Sequence, residues 1–219
     1  MWICEGCGAW LEATALDPTP AGMTIRCPGC GYREPFVQDP LWWVTGSPGS
    51  GKSSVLPHLR RALPDHVVFD GEAIDFWRFT DEPGDYAPLY DQWLKVGHQI
   101  ALNGRPLVIV ATALPAQLDA CRCRAYFAAI HYLGLVCPPA EQERRLQARP
   151  AWRQADDATF IANACGFTRR LGELARENPA ILTLHDTSAV TPEESALALA
   201  RWVRQGARIA SAEGSLPTP

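Results

Sequence analysis

The sequence predicts an α/β protein: a three-layer domain around a parallel five-stranded sheet, preceded by a small metal-bound ribbon. Three observations predict it. From residue 41 onward, short apolar, β-prone runs alternate with longer helical stretches. The first of these strand-to-helix junctions carries a glycine-rich loop that ends Gly-Lys-Ser. Four of the eight cysteines fall in the first 30 residues as two Cys-x-x-Cys pairs. The expected division is a ribbon over 1–38, the α/β domain over 39–210 and a loose tail over 211–219.

The ribbon comes first. Cys4-Glu-Gly-Cys7-Gly8 and Cys27-Pro-Gly-Cys30-Gly31 lie 19 residues apart, a spacing that suits one four-cysteine zinc site. Two residues between cysteines let both thiolates of a turn point at one ion. The glycine after each pair suits a turn with positive φ. Four thiolates in a closed tetrahedron select Zn²⁺ and leave no open position for catalysis. Short strands are expected at Ala9–Leu16 and Met23–Arg26, joined by a turn over Asp17–Gly22. Some 35 residues cannot build a self-sufficient core, so the metal would supply the folding energy. A redox pair is the alternative reading of the same cysteines. The segment resembles a zinc ribbon, a module that binds nucleic acid or protein, or braces its neighbour.

Leu41–Thr45 is the first strand of the α/β domain, and Gly46-Ser47-Pro48-Gly49-Ser50-Gly51-Lys52-Ser53 follows it. The glycines let the backbone aim several N–H groups into one concavity, with a helix N-terminus behind it. That is an anion site for the phosphates of ATP or GTP, formed by residues Gly46 to Ser54. Lys52 would reach the β- and γ-phosphates, and the Ser53 hydroxyl would ligate Mg²⁺. Ser54–Leu63 reads as the helix, with Pro57 near its first turn.

Further strands are expected at Val67–Phe69, Pro106–Ala113, Ala129–Val136 and Ala180–Leu184. Pro106–Ala113 is apolar enough to be buried on both faces. Helices fall between, at roughly 86–103, 115–126, 139–149 and 156–177, with a last one over about 192–210. The last opens at Thr191-Pro192, an N-cap followed by proline at the first helical position.

Composition narrows the function. Hydrophobic residues make up 47% of the 219 and charged residues 20%, enough for a real core. A net charge of −4 argues against a nucleic-acid partner, although the ribbon is a segment that could contact one. No run approaches a membrane-spanning length, and the first residues do not read as a secretory signal, so the expected place is the cytoplasm. There the cysteines stay reduced unless they hold metal. The five histidines show no metal-ligand spacing, and Cys121 and Cys123 form no knuckle.

Phe69-Asp70-Gly71-Glu72 puts acids at the carboxyl end of the second strand, where ligands of open α/β sheets bind. Asp70 could accept a proton from an acceptor hydroxyl, hold Mg²⁺ through water, or simply cap a turn. Glu72 and Asp75 are reserve candidates. The third strand ends Ala111-Thr112-Ala113, without the aspartate a motor-type ATPase would place there. Arg145 and Arg149 lie four apart on one helical face, with Arg153 beyond a proline. They suit charge neutralisation from a flap, and also suit pairing with Glu141 and Glu143.

Over about 40–205 these residues resemble the small P-loop kinases: shikimate, gluconate, adenylylsulfate and chloramphenicol kinases, and nucleoside or nucleotide kinases. The resemblance implies a P-loop NTPase fold and transfer of the ATP γ-phosphate to a small-molecule hydroxyl. It implies Asp70 as base and Lys52, Arg145 and Arg149 as charge-neutralising catalytic residues. It places Asp186-Thr187-Ser188 near the adenine. The Gly-rich acceptor loop of shikimate kinases is missing. Residues 74–93, rich in aromatics and acids (Ile74, Asp75, Phe76, Trp77, Arg78, Phe79, Asp81, Glu82, Asp85, Tyr86, Tyr90 and Trp93), would close over the acceptor or pack a helix on the sheet. A nucleoside, sugar or aminoglycoside would suit that stretch. Two other functions fit the sequence: a nucleic-acid 5′-end kinase that grips its substrate through the ribbon, and a nucleotide-dependent regulatory module with slow hydrolysis or none.

Overall fold

The computed structural model describes residues 2–11, 16–19, 22–73, 85–150 and 157–213. The N-terminal segment contains two small antiparallel sheets. β1 (Trp2–Ile3) pairs with β2 (Trp10–Leu11). β3 (Leu16–Thr19), β4 (Gly22–Arg26) and β5 (Arg33–Pro35) form the other, with β4 in the centre. Asp17 and Pro18 therefore lie in a strand rather than in the expected turn. Pro18 lacks an N–H but sits on the edge strand, where none is needed. The Asp17 carboxylate meets Arg33 at 2.9 Å, tying β3 to β5.

The main sheet is parallel and five-stranded, in the order β10-β9-β6-β8-β7. Its strands are β6 (Leu41–Gly46), β7 (Val67–Asp70), β8 (Leu107–Val110), β9 (Ile130–Val136) and β10 (Leu182–Asp186). β6 lies in the middle, in register with β8 on one side and β9 on the other. Its run Leu-Trp-Trp-Val is apolar throughout because helices cover both faces. Leu41 and Trp43 join one core with α2 (Ala87–Ala101) and α5 (Ala158–Glu177). Trp42 and Val44 join the other with α1 (Lys52–Ala62) and α6 (Pro192–Glu213). All four side chains are 2% exposed or less. The helix α2 crosses β8 closely, since a Cβ on Gly97 would come within 2.8 Å of Leu107.

Several expected boundaries move for visible reasons. β8 ends at Val110 with the Ala111 N–H still on Val44 O, and the amides beyond it turn to side chains: Thr112 N–H donates to Glu72 Oε1 and Ala113 N–H to Thr45 Oγ1. The helix expected over 115–126 breaks into α3 (Pro115–Asp119) and a 3-10 turn at Arg122–Tyr126. Cys121 between them is extended, and the Cys123 N–H is taken by the Asp91 carboxylate of α2 at 2.9 Å. β10 starts at Leu182 because a turn after α5 closes through Ile181 N–H on Asn178 O. The helix α4 (Pro139–Gln147) follows β9 but stops short of 149, because the Arg149 N–H closes a turn on Leu146 O. Arg149 thus lies just past the helix that carries Arg145, and α6 runs on through Ser211–Glu213. Among the described residues no helix is long and apolar enough to cross a membrane.

The N-terminal segment meets the main sheet through Phe36 and Gln38. Phe36 stacks on His98 of α2, with centroids 4.8 Å apart, and tilts against Tyr126. Gln38 donates to Ala125 O. Burial holds the His98 pKa down to about 4, so the ring is neutral in this sandwich. Leu41 then starts β6 with its N–H on Ala129 O. The ribbon thus joins at the N-terminal edge of the strands. Gly46 lies at the other end of β6, about 17 Å away along the six-residue strand.

Candidate functional site

At the C-terminal end of β6 the chain turns sharply into α1. Gly49 and Gly51 have φ of 85° and 101°, which side chains other than glycine rarely adopt. Gly46 has no room for a Cβ, which would sit 2.8 Å from the Leu135 carbonyl oxygen. Gly51 caps α1 with no side-chain hydrogen bond, so the helix offers its first amides to a ligand.

An amide nest forms only if the loop's carbonyls are held outward. Here each carbonyl from Gly46 to Ser50 has a donor. Gly46 O accepts from Lys52 Nζ at 2.6 Å and from Thr112 Oγ1 at 2.9 Å. Ser47 O accepts from Lys52 Nζ and from the Ser50 amide, both at 3.2 Å. Pro48 O accepts from Gln142 Nε2 at 2.8 Å. Gly49 O accepts from Arg145 Nη1 at 3.4 Å, and Ser50 O from Thr187 Oγ1 at 3.0 Å. Besides Lys52 and the loop's own Ser50 amide, the donors come from β8's end, α4 and the loop after β10, so the tertiary fold helps shape the hollow. With dipoles turned this way, it attracts anions.

Lys52 is 6% exposed and reaches Glu72 Oε1 at 3.2 Å. Burial pushes the lysine pKa down, and Glu72 opposes it. Burial raises the Glu72 carboxyl, but the Lys52 ammonium and the Thr112 hydrogen bonds outweigh that and hold it below the usual carboxylate range. Thr112 Oγ1 donates to Glu72 Oε1 at 2.7 Å. The glutamate from beyond β7 therefore reaches across to the end of β8, the position where the sequence lacks an acid. Asp70 has a different environment: its carboxylate accepts the Glu72 amide at 3.1 Å, as in a turn cap.

A cavity of about 520 Å³ opens in front of the loop. Lys52, Ser53, Glu72, Arg145, Arg149 and Thr187 all line it, and so does Ser54; Asp70 does not. Arg145 is fully engaged. Its Nε meets Glu141 at 2.6 Å, and Nη1 and Nη2 hold Thr187 at 2.9 and 2.8 Å. Hydrogen bonds from Arg144 and Arg145 bring the Glu141 pKa down to about 2. The expected base-side segment Asp186–Ser188 thus abuts the glycine loop through Arg145. Tyr90 and Trp93 are core residues, in a ladder Tyr86–Tyr90–Trp93–Trp43 with centroids 5.5–6.2 Å apart. Asp75, the other expected acceptor-segment residues from Ile74 to Glu82, and Arg153 lie outside the described residues.

The chain has a P-loop NTPase fold. It is similar to a sugar kinase from Janibacter sp. at 16% identity, covering 77% of this chain and 95% of that one, with a TM-score of 0.56. A tunicamycin resistance protein from Deinococcus radiodurans matches at 18% identity, 76% and 96% coverage and a TM-score of 0.55. A gluconokinase from Sinorhizobium meliloti matches at 17% identity, 81% and 99% coverage and a TM-score of 0.54. No protein-family model matches the sequence, and no curated protein matches it. In this fold the residues Gly46–Ser53 span the turn from the central strand β6 into α1.

The second candidate site is the cysteine cluster. Cys4, Cys7, Cys27 and Cys30 bring their sulfurs within 4.8 Å of one another. Cys4–Cys30 and Cys7–Cys27 are 3.7 and 3.6 Å apart. A zinc tetrahedron with Zn–S bonds of about 2.3 Å has edges of about 3.8 Å, so the donor set fits the ion. The two knuckles match: Gly8 and Gly31 share φ of 74° and 75°, and each amide closes on the first cysteine's carbonyl at 2.8 Å.

Sequence reasoning picked out Lys52, the glycines, the cysteines and both arginines. It held Glu72 in reserve and read Thr112 only as a missing aspartate. Gln142 and Thr168, which both meet Ser47, carried no signal, being polar residues in ordinary helical runs.

Proposed function

We propose that the chain is an ATP-dependent phosphotransferase that moves the γ-phosphoryl group of Mg·ATP to a hydroxyl of a small molecule. The observation that carries this reading is the P-loop hollow with all its carbonyls turned outward and the Lys52–Glu72–Thr112 group at its mouth. Phosphoryl transfer is mainly positioning and charge neutralisation. Amides of the loop would cradle the phosphates, and Lys52 would exchange its carbonyl partners for phosphate oxygens. Ser53 would ligate Mg²⁺. Glu72 would orient the magnesium's water or receive the acceptor proton, with Asp70 holding the turn that presents it. Arg149, at the cavity wall, would face the transferring group, and Arg145 would join the P-loop to the base-side loop.

The acceptor class follows from two supports. The cavity opens at the carboxyl ends of the strands, the usual ligand edge of such sheets. The fold neighbours are named as a sugar kinase, a gluconokinase and a tunicamycin resistance protein, which favours a polyhydroxylated small molecule. The ribbon's attachment at the opposite edge weighs against a nucleic-acid end delivered by it. ADP release on a panel of nucleosides, sugars and aminoglycosides tests the proposal. Acceptor-dependent turnover is expected with at least one of them. Tight ATP binding with no acceptor in any class would favour a regulatory module instead.

For the cysteine cluster we propose a structural Zn²⁺ that folds the ribbon in the reducing cytoplasm. Elemental analysis of the full chain should give one zinc per molecule. A strong chelator should melt the ribbon's strands, seen as lost hydrogen-exchange protection over residues 2–35, while the P-loop retains its own. Purified chain with no zinc and intact ribbon protection would contradict this.

A further inference from the structure

Gln142 lies in the first turn of α4, in a stretch whose neighbours Glu141, Glu143 and Arg144 are charged. It is nevertheless 0% exposed. Its amide nitrogen donates to Ser47 Oγ and to Pro48 O, the latter at 2.8 Å. Ser47 is itself fully buried and shares its hydroxyl with Thr168 Oγ1 of α5 at 2.9 Å. Behind the loop the contact is close: a Cβ on Gly49 would lie 3.1 Å from Gln142 Cγ and 3.2 Å from Leu146 Cγ. The Gln142 Oε1 atom is buried with no hydrogen-bond partner.

A buried amide that leaves its own oxygen unsatisfied is a destabilising choice for a helix face. An apolar residue of the same size would fill the space without that cost, but would leave the Pro48 carbonyl with only the Ser47 hydroxyl, at 3.1 Å, as donor. The carbonyl could then rotate, and the amide next to it would rotate with it, because the peptide unit is planar. We infer that Gln142 is a positioning residue that fixes the P-loop peptide at Pro48 and ties the phosphate hollow to α4. Seven residues along the chain from Gln142, Arg149 lines the same cavity. The helix therefore carries the brace behind the loop, and the turn just after it carries a cation in front of it. This inference rests on the proposed binding of phosphates by the loop.

The test is calorimetric titration of ADP into full-length wild type, Gln142→Leu, Gln142→Glu and Val203→Ala, with thermal midpoints measured alongside. Val203 is a buried residue of α6, away from the cavity, and serves as a destabilised control. Gln142→Leu is expected to weaken ADP binding about tenfold, the scale of one lost buried hydrogen bond. Gln142→Glu keeps the shape, turns a carboxylate on the Pro48 carbonyl, and is expected to weaken it further. Val203→Ala should bind as wild type does, although it melts lower. The inference is overturned if both Gln142 variants bind ADP within about twofold of wild type, or if Val203→Ala loses as much affinity as they do. If wild type takes up neither ADP nor ATP, the phosphate-loop reading falls and takes this inference with it. Normal wild-type binding with insensitive Gln142 variants sinks the inference alone.

Discussion

Glu72→Gln is expected to lower kcat by about a hundredfold or more, the usual scale for removing an acid that handles a proton or a magnesium water. The glutamate sits 3.2 Å from Lys52 Nζ and 2.7 Å from Thr112 Oγ1, and it lines the cavity. The amide would keep the shape and the packing but lose the charge. One signature separates this role from a structural one. The Mg²⁺ concentration needed for half-maximal rate should rise. Asp70→Asn should cost less than about tenfold, because among the described residues its carboxylate makes one hydrogen bond, from the Glu72 amide, and an asparagine oxygen can accept the same. Since Lys52 and Thr112 hold the Glu72 carboxyl below its ordinary range, the ionised form persists on acidification. Its contribution to the rate should be complete at neutral pH and be lost only as the pH falls below the ordinary carboxylate range. If Asp70→Asn cost more than Glu72→Gln, the proposed roles of the two acids would have to be exchanged.

Why Glu72 stood second to Asp70 in the sequence is a matter of distance along the chain. Its partners lie 20 residues upstream and 40 downstream, and they meet only because β8 is inserted between β6 and β7. Local pattern does not determine strand order. The same holds for Gln142 and Ser47, 95 residues apart. What the sequence made legible were features whose physics is local. The run Leu41–Val44 is apolar on both faces, and the fold buries both. The glycines of Gly46–Ser53 sit where positive φ or close backbone approach excludes a side chain. The cysteine spacing delivered four sulfurs to one point. Helical periodicity failed at 115–126 because the Asp91 carboxylate, from another helix, takes the Cys123 N–H and favours a break. The Asp17-Pro18 pair looked like a turn, but an edge strand accepts proline as readily.

Lys52 carries the largest single expectation. Its ammonium is buried, bonded to Gly46 O and Ser47 O, and paired with Glu72. A nucleotide's β- and γ-phosphates would offer it stronger, charged partners in the same hollow. Lys52→Ala removes that charge and leaves Glu72 facing the phosphates without a counter-ion. Losing one partner from a buried charge pair at an interface reaches several kcal/mol, so affinity should drop by at least about thirtyfold and turnover should fall with it.

Titration calorimetry of Mg·ATP into the full-length chain tests the central claim that this loop holds a triphosphate. One molecule bound per chain, with affinity weakened at least about thirtyfold by Lys52→Ala, is the expected result. Equal affinity in the variant, or no heat of uptake by the wild-type chain, would contradict it.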